Sequence, residues 1–184
     1  GWRNQGESVG SGYERVNADV ARRLGILFGA GESASGDVAE SVVDAGEVIN
    51  TLDAGGVTTI GYATSRIDEP PRSFLSKLSG TEPDPGTVDT QNQITSTVRT
   101  ATRSRLTLPC DVTSTDRALV VIAGPPAYLD RRGAERSRKW LEEATDTMAV
   151  RGGDYPVRDS KYLAAVEKAG GSLTVTAAAA PAAE

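Results

Sequence analysis

A continuous apolar run at residues 118–123, Ala-Leu-Val-Val-Ile-Ala, is the feature that most constrains how this chain folds. Such a run, ended here by Gly124-Pro125-Pro126, is typical of a central β-strand that is covered on both faces. A turn of this composition usually stops a strand, although it can also contact a ligand. The strand requires packing partners on both sides, so the rest of the chain must supply helices that cover it.

The remaining hydrophobic pattern predicts four helices and three further strands. Apolar residues at helical spacing predict helices over 17–28, 36–52, 88–105 and 131–145. Strands are predicted over 57–63, 147–151 and 173–176, whereas residues 162–166 fit either a helix or a strand. Residues 65–88 are rich in proline and predict a long loop with a short helical turn at 74–78. This order predicts an α/β fold of the two-layer α+β kind, with a mixed β-sheet flanked by helices.

The ends of the sequence suggest how the chain is divided. Residues 1–16 are expected to be a loop or the end of a longer central helix, and residues 17–176 one domain. The Ala/Pro-rich residues 177–184 are expected to be a disordered tail.

Composition excludes several classes of function. The net charge of −5 argues against nucleic acid as the main partner, and the absence of histidine excludes a Ser-His-Asp triad. The single cysteine, Cys110, excludes an internal disulfide and suits a reducing compartment, so we expect a cytoplasmic protein. No apolar run is long enough to predict a membrane span. No glycine-rich phosphate loop joins a strand to a helix, so the chain carries no recognisable nucleotide cradle.

The sequence Asn17-Ala18-Asp19 precedes the first predicted helix and has two interpretations. In the structural one, Asn17 is the N-cap and Asp19 complements the positive end of the helix dipole. In the functional one, Asp19 is a carboxylate on a loop that polarises an attacking water molecule. One acidic residue does not decide between them.

The helix predicted at 131–145 begins with a strongly basic segment, residues 131–139. It is either a solvated face or a surface for a partner. Four acidic residues on another predicted helix are candidates for its counterpart: Asp37, Glu40, Asp44 and Glu47.

The order of these elements resembles the C-terminal domain of the tubulin/FtsZ superfamily, and most closely the archaeal CetZ group of tubulin-like proteins linked to cell shape. Residues 13–23, Tyr-Glu-Arg-Val-Asn-Ala-Asp-Val-Ala-Arg-Arg, look like the catalytic loop of that group. Residues 151–156, Arg-Gly-Gly-Asp-Tyr-Pro, are similar to its characteristic late strand. The likeness covers roughly residues 6–165.

The resemblance implies a split active site. In this superfamily GTP, with Mg²⁺, sits on an N-terminal domain, and the loop of the C-terminal domain reaches the nucleotide of the next subunit in a filament. Carried over, Asn17 contacts the neighbour's nucleotide and Asp19 is the acidic residue that positions the water. Arg22 stands where some members carry a second acidic residue. The resemblance also implies self-association into protofilaments and an isolated chain that is inactive without the N-terminal half.

A second interpretation stays open at this point. Because the sequence contains no complete site, the chain is alternatively a stand-alone α/β protein-interaction domain without catalysis.

Overall fold

The computed structural model of the protein describes residues 9–32, 43, 45–53, 55–67, 87–103, 106–172 and 174–175. The α-helices in this part of the chain are α1 Val9–Glu32, α2 Ala45–Leu52, α3 Thr87–Arg103 and α4 Arg131–Thr145. The strands are β1 Val57–Arg66, β2 Cys110–Asp111, β3 Arg117–Gly124, β4 Val150–Pro156, β5 Tyr162–Gly171 and β6 Thr174–Val175. Short 3₁₀ turns lie at Val112–Ser114 and Pro126–Tyr128.

The main sheet has four strands in the order β1-β5-β3-β4. Strand β5 is antiparallel to both of its neighbours, and β4 is parallel to β3. The parallel pair is joined through α4, as a parallel pairing requires a crossover connection. β2 and β6 form a separate two-stranded antiparallel ladder. The predicted α/β fold with a mixed sheet flanked by helices is confirmed.

Strand β3 is buried along both faces, as its apolar run predicts. Leu119 and Val121 pack with Leu27 of α1 in one core cluster. Val120 and Ile122 pack with α3 and α4 in the other. The helices therefore cover both faces of the sheet, and the second pair adds a third layer to the predicted two.

The helices α3 and α4 agree closely with the prediction. The helical spacing of apolar residues in 88–105 predicts that Ile94, Val98 and Ala101 form the inner face of α3, and all three are fully buried. Helix α4 spans the residues predicted for it. It begins there because the Asp130 carboxylate accepts a 2.8 Å hydrogen bond from the backbone N–H of Gly133, and it ends at Asp146, which has φ 53.

The prediction for α2 is partly wrong. Within the described residues the helix begins at Ala45, and the expected residues 36–42 lie outside the description. The helical spacing of apolar residues predicts that Ile49 and Leu52 lie on the buried face of this helix. That prediction is wrong, because both are exposed while Val48 and Thr51 are buried. At the end of the helix the backbone carbonyl of Thr51 accepts a hydrogen bond from the Lys168 ammonium inside the core.

The strand predicted over 147–151 lies too early in the sequence. Strand β4 instead runs through Gly152 and Gly153 to Pro156. Its pairing with β3 continues along this whole stretch, from Val150 opposite Ala118 to Pro156 opposite Gly124. The ambiguous residues 162–166 belong to β5, and part of the strand predicted at 173–176 is β6. The predicted loop with its turn at 74–78 and the tail 177–184 lie outside the described residues. In the described part of the chain, no helix has the length and apolar character to cross a bilayer.

Candidate functional site

Asn17 and Asp19 lie inside helix α1, eight and ten residues after its start. The loop predicted around Asn17 and the N-cap role of Asn17 are therefore wrong, since an N-cap residue must stand outside the helix. Of the two expectations for residues 1–16, the described residues 9–16 fit the end of a longer helix. Gly10 and Gly12 argue against a helix before Asn17, at a cost of about 1 kcal/mol each. The segment is helical nevertheless, because each added residue of an existing helix gains a backbone hydrogen bond.

The helix brings Asp19 together with Arg22 rather than with Asn17. Residues two apart on a helix point about 160° away from each other, whereas residues three apart share a face. A guanidinium nitrogen of Arg22 lies 3.6 Å from a carboxylate oxygen of Asp19. The Arg22 side chain is 63% exposed and that of Asp19 33%. An ion pair this exposed is worth about 0–1 kcal/mol, so it holds the carboxylate only weakly.

Arg23, the next residue, is directed into the protein. It is only 4% exposed, and its guanidinium carbon lies 5.9 Å from the centre of the Tyr62 ring on β1. Burial raises the pKa of the Tyr62 hydroxyl. The positive charges of Arg22 and Arg23 act to lower this pKa, and the negative charge of Asp19 acts to raise it. Arg22, Arg23, Asp19 and Tyr62 thus share one electrostatic neighbourhood, which we call the Asp19 cluster.

The C-terminal half of α1 fixes the position of the Asp19 cluster. Leu27 and Ala30 are buried against β3 and β5, and Gly29 lies against the ring of Tyr155. A Cβ atom at Gly29 would stand 3.0 Å from the Tyr155 hydroxyl oxygen, so a larger residue here would require the Tyr155 ring to shift slightly. Asp19 lies about 15 Å further along the helix from Gly29. The helix therefore presents Asp19 at a distance from the point where the core anchors it.

Comparison with known proteins assigns the fold to a family. The sequence matches the family model for the tubulin-like CetZ C-terminal domain over residues 6–175. The chain belongs to the CetZ family of tubulin-like proteins. The tubulin-like protein CetZ3 of Haloferax volcanii is 58% identical over 168 residues, which are 90% of this chain and 43% of CetZ3.

Solved structures agree with this assignment. The GDP-bound monomer of CetZ1 from Haloferax volcanii has a TM-score of 0.73 and 44% identity, over 92% of this chain and 42% of that one. The GTPγS-bound protofilament of CetZ2 from the same organism has a TM-score of 0.73 and 39% identity, over 97% of this chain and 45% of that one. The resemblance read from the sequence is confirmed, and the chain spans less than half the length of these relatives.

A second polar feature of this CetZ domain is a cleft of about 310 Å³ beside strand β4. Arg131 and Arg138 of α4, Arg151 of β4 and Glu47 of α2 all line it. Of the four acidic residues predicted to face the basic helix, Glu47 is the one within the described residues, and it does share this cleft. The Nε atom of Arg131 lies 3.0 Å from a carboxylate oxygen of Glu135, and this ion pair neutralises part of the basic charge within α4.

The turn after β3 is structural in this CetZ domain. The backbone carbonyl of Gly124 accepts a 2.7 Å hydrogen bond from the N–H of Val157. A Cβ atom at Gly124 would lie 2.7 Å from a methyl carbon of Leu163. Of the two interpretations of this turn, the contacts favour the one in which it stops the strand.

Sequence reasoning missed two buried charged residues, Glu167 and Lys168 on β5. Each is 1% exposed. Burial raises the pKa of Glu167 to about 7, with the Thr102 hydroxyl acting to lower it. Burial lowers the pKa of Lys168 to about 8, and the charge of Arg117 adds to this effect. Nothing in the sequence marks these residues, because a Glu-Lys pair ordinarily indicates an exposed segment.

The donor set for a metal ion is poor in this part of the chain. The sequence has no histidine, and within the described residues no group of three or more Cys, Asp or Glu side chains is arranged to hold an ion. The Asp19 cluster offers one carboxylate beside two guanidinium groups. It therefore suits an anion or a polarised water molecule better than a bound cation.

Proposed function

We propose that this domain is the C-terminal assembly half of a tubulin/FtsZ-like cytoskeletal GTPase, and that its α1 helix completes the GTP hydrolysis site of the neighbouring subunit in a filament. The observation that carries the proposal is the weakly held, partly exposed carboxylate of Asp19 on a domain of the CetZ family. The family places this domain in proteins about twice as long, which leaves room for a nucleotide-binding half.

The solved structures of relatives support two parts of the proposal, the bound guanine nucleotide and the filament. One CetZ structure is a GDP-bound monomer, and another is a GTPγS-bound protofilament. GTP and its Mg²⁺ belong, in this proposal, to the N-terminal half or to the neighbouring subunit, and we derive no step through Mg²⁺ in this chain. The partners are other copies of the same protein, the location is the cytoplasm, and the role is control of cell shape or division.

Asp19 has a defined chemical task in this scheme. Phosphoryl transfer depends mainly on positioning and on electrostatic stabilisation. A carboxylate within reach of a water molecule accepts a hydrogen bond from it and directs its oxygen at the terminal phosphorus. Because the carboxylate and the nucleotide are on different subunits, hydrolysis requires assembly.

Asn17 has a smaller role. It is exposed on α1, but it points away from Asp19 in a regular helix. A nucleotide that meets Asp19 reaches the Asn17 amide only at the margin of the contact. We therefore assign Asn17 only a contact at the edge of the neighbour's nucleotide, and Asp19 the chemistry.

Substitution of Asp19 by Asn in the full-length protein tests the proposal. The amide keeps the shape of the side chain but is a poor proton acceptor, so GTP turnover should fall by roughly 10²- to 10⁴-fold. Filaments should still form, as measured by sedimentation and electron microscopy. Asp159→Asn, on an exposed turn, is the matched control and should leave turnover unchanged. Normal turnover by Asp19→Asn filaments contradicts the catalytic role.

The coding sequence that precedes Gly1 provides an independent check. The proposal expects it to encode a glycine-rich nucleotide-binding domain in the same reading frame. If it does not, the alternative of a stand-alone α/β interaction domain takes precedence.

A further inference from the structure

Trp140 of α4 lies against two arginines of the neighbouring helix α3. The guanidinium carbon of Arg99 is 5.3 Å from the centre of the Trp140 ring, and that of Arg103 is 5.9 Å from it. Both arginines are exposed, and the tryptophan is half-buried. In the described part of the chain, no ion pair includes either arginine. An aromatic ring, and not an opposite charge, therefore holds these two cations.

This contact leaves the hydrogen-bond donors of both arginines available. Arg99 and Arg103 are four residues apart and share a face of α3, where two positive charges repel each other. A guanidinium group meets an aromatic ring through its flat face, while its N–H groups point outward in the plane. The Trp140 ring therefore positions two arginines and leaves their N–H donors for an anion.

The positive surface continues along α4. Arg136 donates hydrogen bonds to the side-chain oxygens of Gln91 at 3.2 Å and Asn92 at 3.4 Å, and these neutral amides leave its charge in place. Lys139 and, one turn later, Glu143 are exposed, so the carboxylate of Glu143 marks where the positive surface ends. We call this region the α3–α4 surface, and its residues are Arg99, Arg103, Arg136, Lys139 and Trp140. Because the chain has a net charge of −5, this surface differs in sign from the chain as a whole.

The charge of the α3–α4 surface suits an anion, and its other features decide between a membrane, a nucleic acid and an acidic polypeptide. On α3 and α4, within the described residues, the exposed large hydrophobic side chain is Val88, at the end of α3 remote from Trp140. The surface therefore lacks the apolar side chains that insert into a lipid headgroup layer. Single-stranded nucleic acid needs open aromatic faces for its bases, whereas two arginines lie over Trp140. Carboxylates pair with guanidinium groups through two hydrogen bonds, so an acidic polypeptide is the best match.

The spacing of the arginines indicates how such a polypeptide lies. Along a helix four residues span about 6 Å, which is the separation of Arg99 and Arg103 along the axis of α3. In an extended chain, alternate side chains lie on one side and about 6.6 Å apart. We propose that the α3–α4 surface binds an acidic segment of another protein as an extended chain, with a carboxylate on every second residue. The site goes beyond the proposed function, because it lies on other helices than Asp19.

The first test measures binding of the 184-residue chain to a fluorescein-labelled peptide of six Glu-Gly repeats, by fluorescence anisotropy. A peptide of six Glu-Gly-Gly repeats has the same charge but places successive carboxylates on opposite sides of an extended chain. The first peptide should bind more tightly, and equal affinities contradict the extended arrangement. Single-stranded thymidine DNA of the same charge and vesicles of anionic phospholipid are measured in parallel. Tighter binding of either one overturns the assignment to a polypeptide.

Substitutions separate the two stacked arginines from general charge. Arg99→Gln/Arg103→Gln should weaken binding of the Glu-Gly peptide by about 10-fold or more, because two charge-assisted contacts are lost. Arg151→Gln/Lys161→Gln removes the same charge from exposed positions outside α3 and α4, and this matched control should lose less than about 3-fold. Arg99→Lys/Arg103→Lys should bind with intermediate affinity, because an ammonium group keeps the charge but lacks the paired donors. Equal losses in the glutamine pair and in the control overturn the inference.

Trp140 provides a readout at the surface itself. The chain has two tryptophans, so Trp2→Phe leaves Trp140 as the only one. Binding of the Glu-Gly peptide should change the intensity of its emission, since the guanidinium groups that contact the ring also meet the carboxylates. This measurement keeps the α3–α4 surface unaltered, so it stands even where the arginine variants fail to fold. Emission that is unchanged at saturating peptide shows that the peptide binds elsewhere and overturns the inference.

Discussion

At the scale of single residues, Glu167 and Lys168 show how much a sheet interior changes ordinary side chains. They are neighbours on β5 and enter opposite faces of the sheet. Glu167 faces α3 and Lys168 faces α2, where its ammonium donates a hydrogen bond to the carbonyl of Thr51. The hydroxyl of Thr102, which lies near Glu167, donates its hydrogen bond to the backbone carbonyl of Val98, so neither carboxylate oxygen of Glu167 accepts a full hydrogen bond within the described residues. An unpaired buried carboxyl is more stable when it is protonated.

The buried Glu167 makes the stability of the chain depend on pH. Its pKa is about 7 in the folded state against an ordinary value of 4.5, so the folded state binds more protons between these values. The free energy of unfolding should therefore fall as pH rises from about 4.5 to 7, by roughly 3 kcal/mol in total. Above pH 7 this loss is complete. Glu167→Gln should remove that slope in urea unfolding of the 184-residue chain at several pH values.

The groups around Glu167 bear on that experiment. Thr102 faces it from α3, and the Cys110 thiol, whose own pKa is raised first by burial and then by Glu167, lies on β2. Glu143→Gln, an exposed carboxyl on α4, is the control and should keep the wild-type slope. A slope that is unchanged in Glu167→Gln would show that another group is responsible.

At the scale of elements, helix α3 approaches strand β1 through a single glycine. A Cβ atom at Gly61 would stand 2.3 Å from the backbone carbonyl oxygen of Ala101, so the helix would have to move. Gly61→Ala should destabilise the chain by about 1–3 kcal/mol, as overpacking does. Thermal unfolding measures the effect.

Gly25→Ala is the matched control for that substitution. Gly25 lies within α1, and a Cβ atom there meets nothing within 4 Å. Because glycine is unfavourable in a helix interior, this change should stabilise the chain by about 0.5–1 kcal/mol. Equal effects of both substitutions would show that steric contact with α3 is not what Gly61 avoids.

The elements also show what the sequence can and cannot predict. Helix α4 was predictable to the residue because Asp130 stands at its N-cap and a charged run with Leu141 on its buried side follows. Strand β5 was not, because its central position depends on pairing with β1 and β3 far away in the sequence. The start of α1 and the pairing of Asp19 with Arg22 were missed for a related reason. Local glycine propensity predicts a loop, and only the three-dimensional path of the chain shows that the helix continues.

At the scale of the whole molecule, the proposed function implies that the chain can join a filament through one end only. In this proposal the chain carries the surface around the Asp19 cluster, which meets the next subunit's nucleotide. The chain spans less than half the length of its relatives. A chain that presents the Asp19 cluster without a nucleotide-binding half can join one end of a filament, but no further subunit can add to it there. The 184-residue chain, added to full-length protein, should therefore bind filament ends and shorten filaments.

The same experiment separates binding from catalysis. The chain should bind no GTP alone, yet it should raise the turnover of full-length subunits kept below their assembly concentration, because it supplies Asp19 in trans. A chain with Asp19→Asn should shorten filaments equally well and give no such increase. Filament lengths are measured by electron microscopy and turnover by phosphate release. If wild-type and Asp19→Asn chains raise turnover equally, Asp19 does not act on the neighbour's nucleotide. If neither chain shortens filaments, the surface around α1 is not the one through which subunits join.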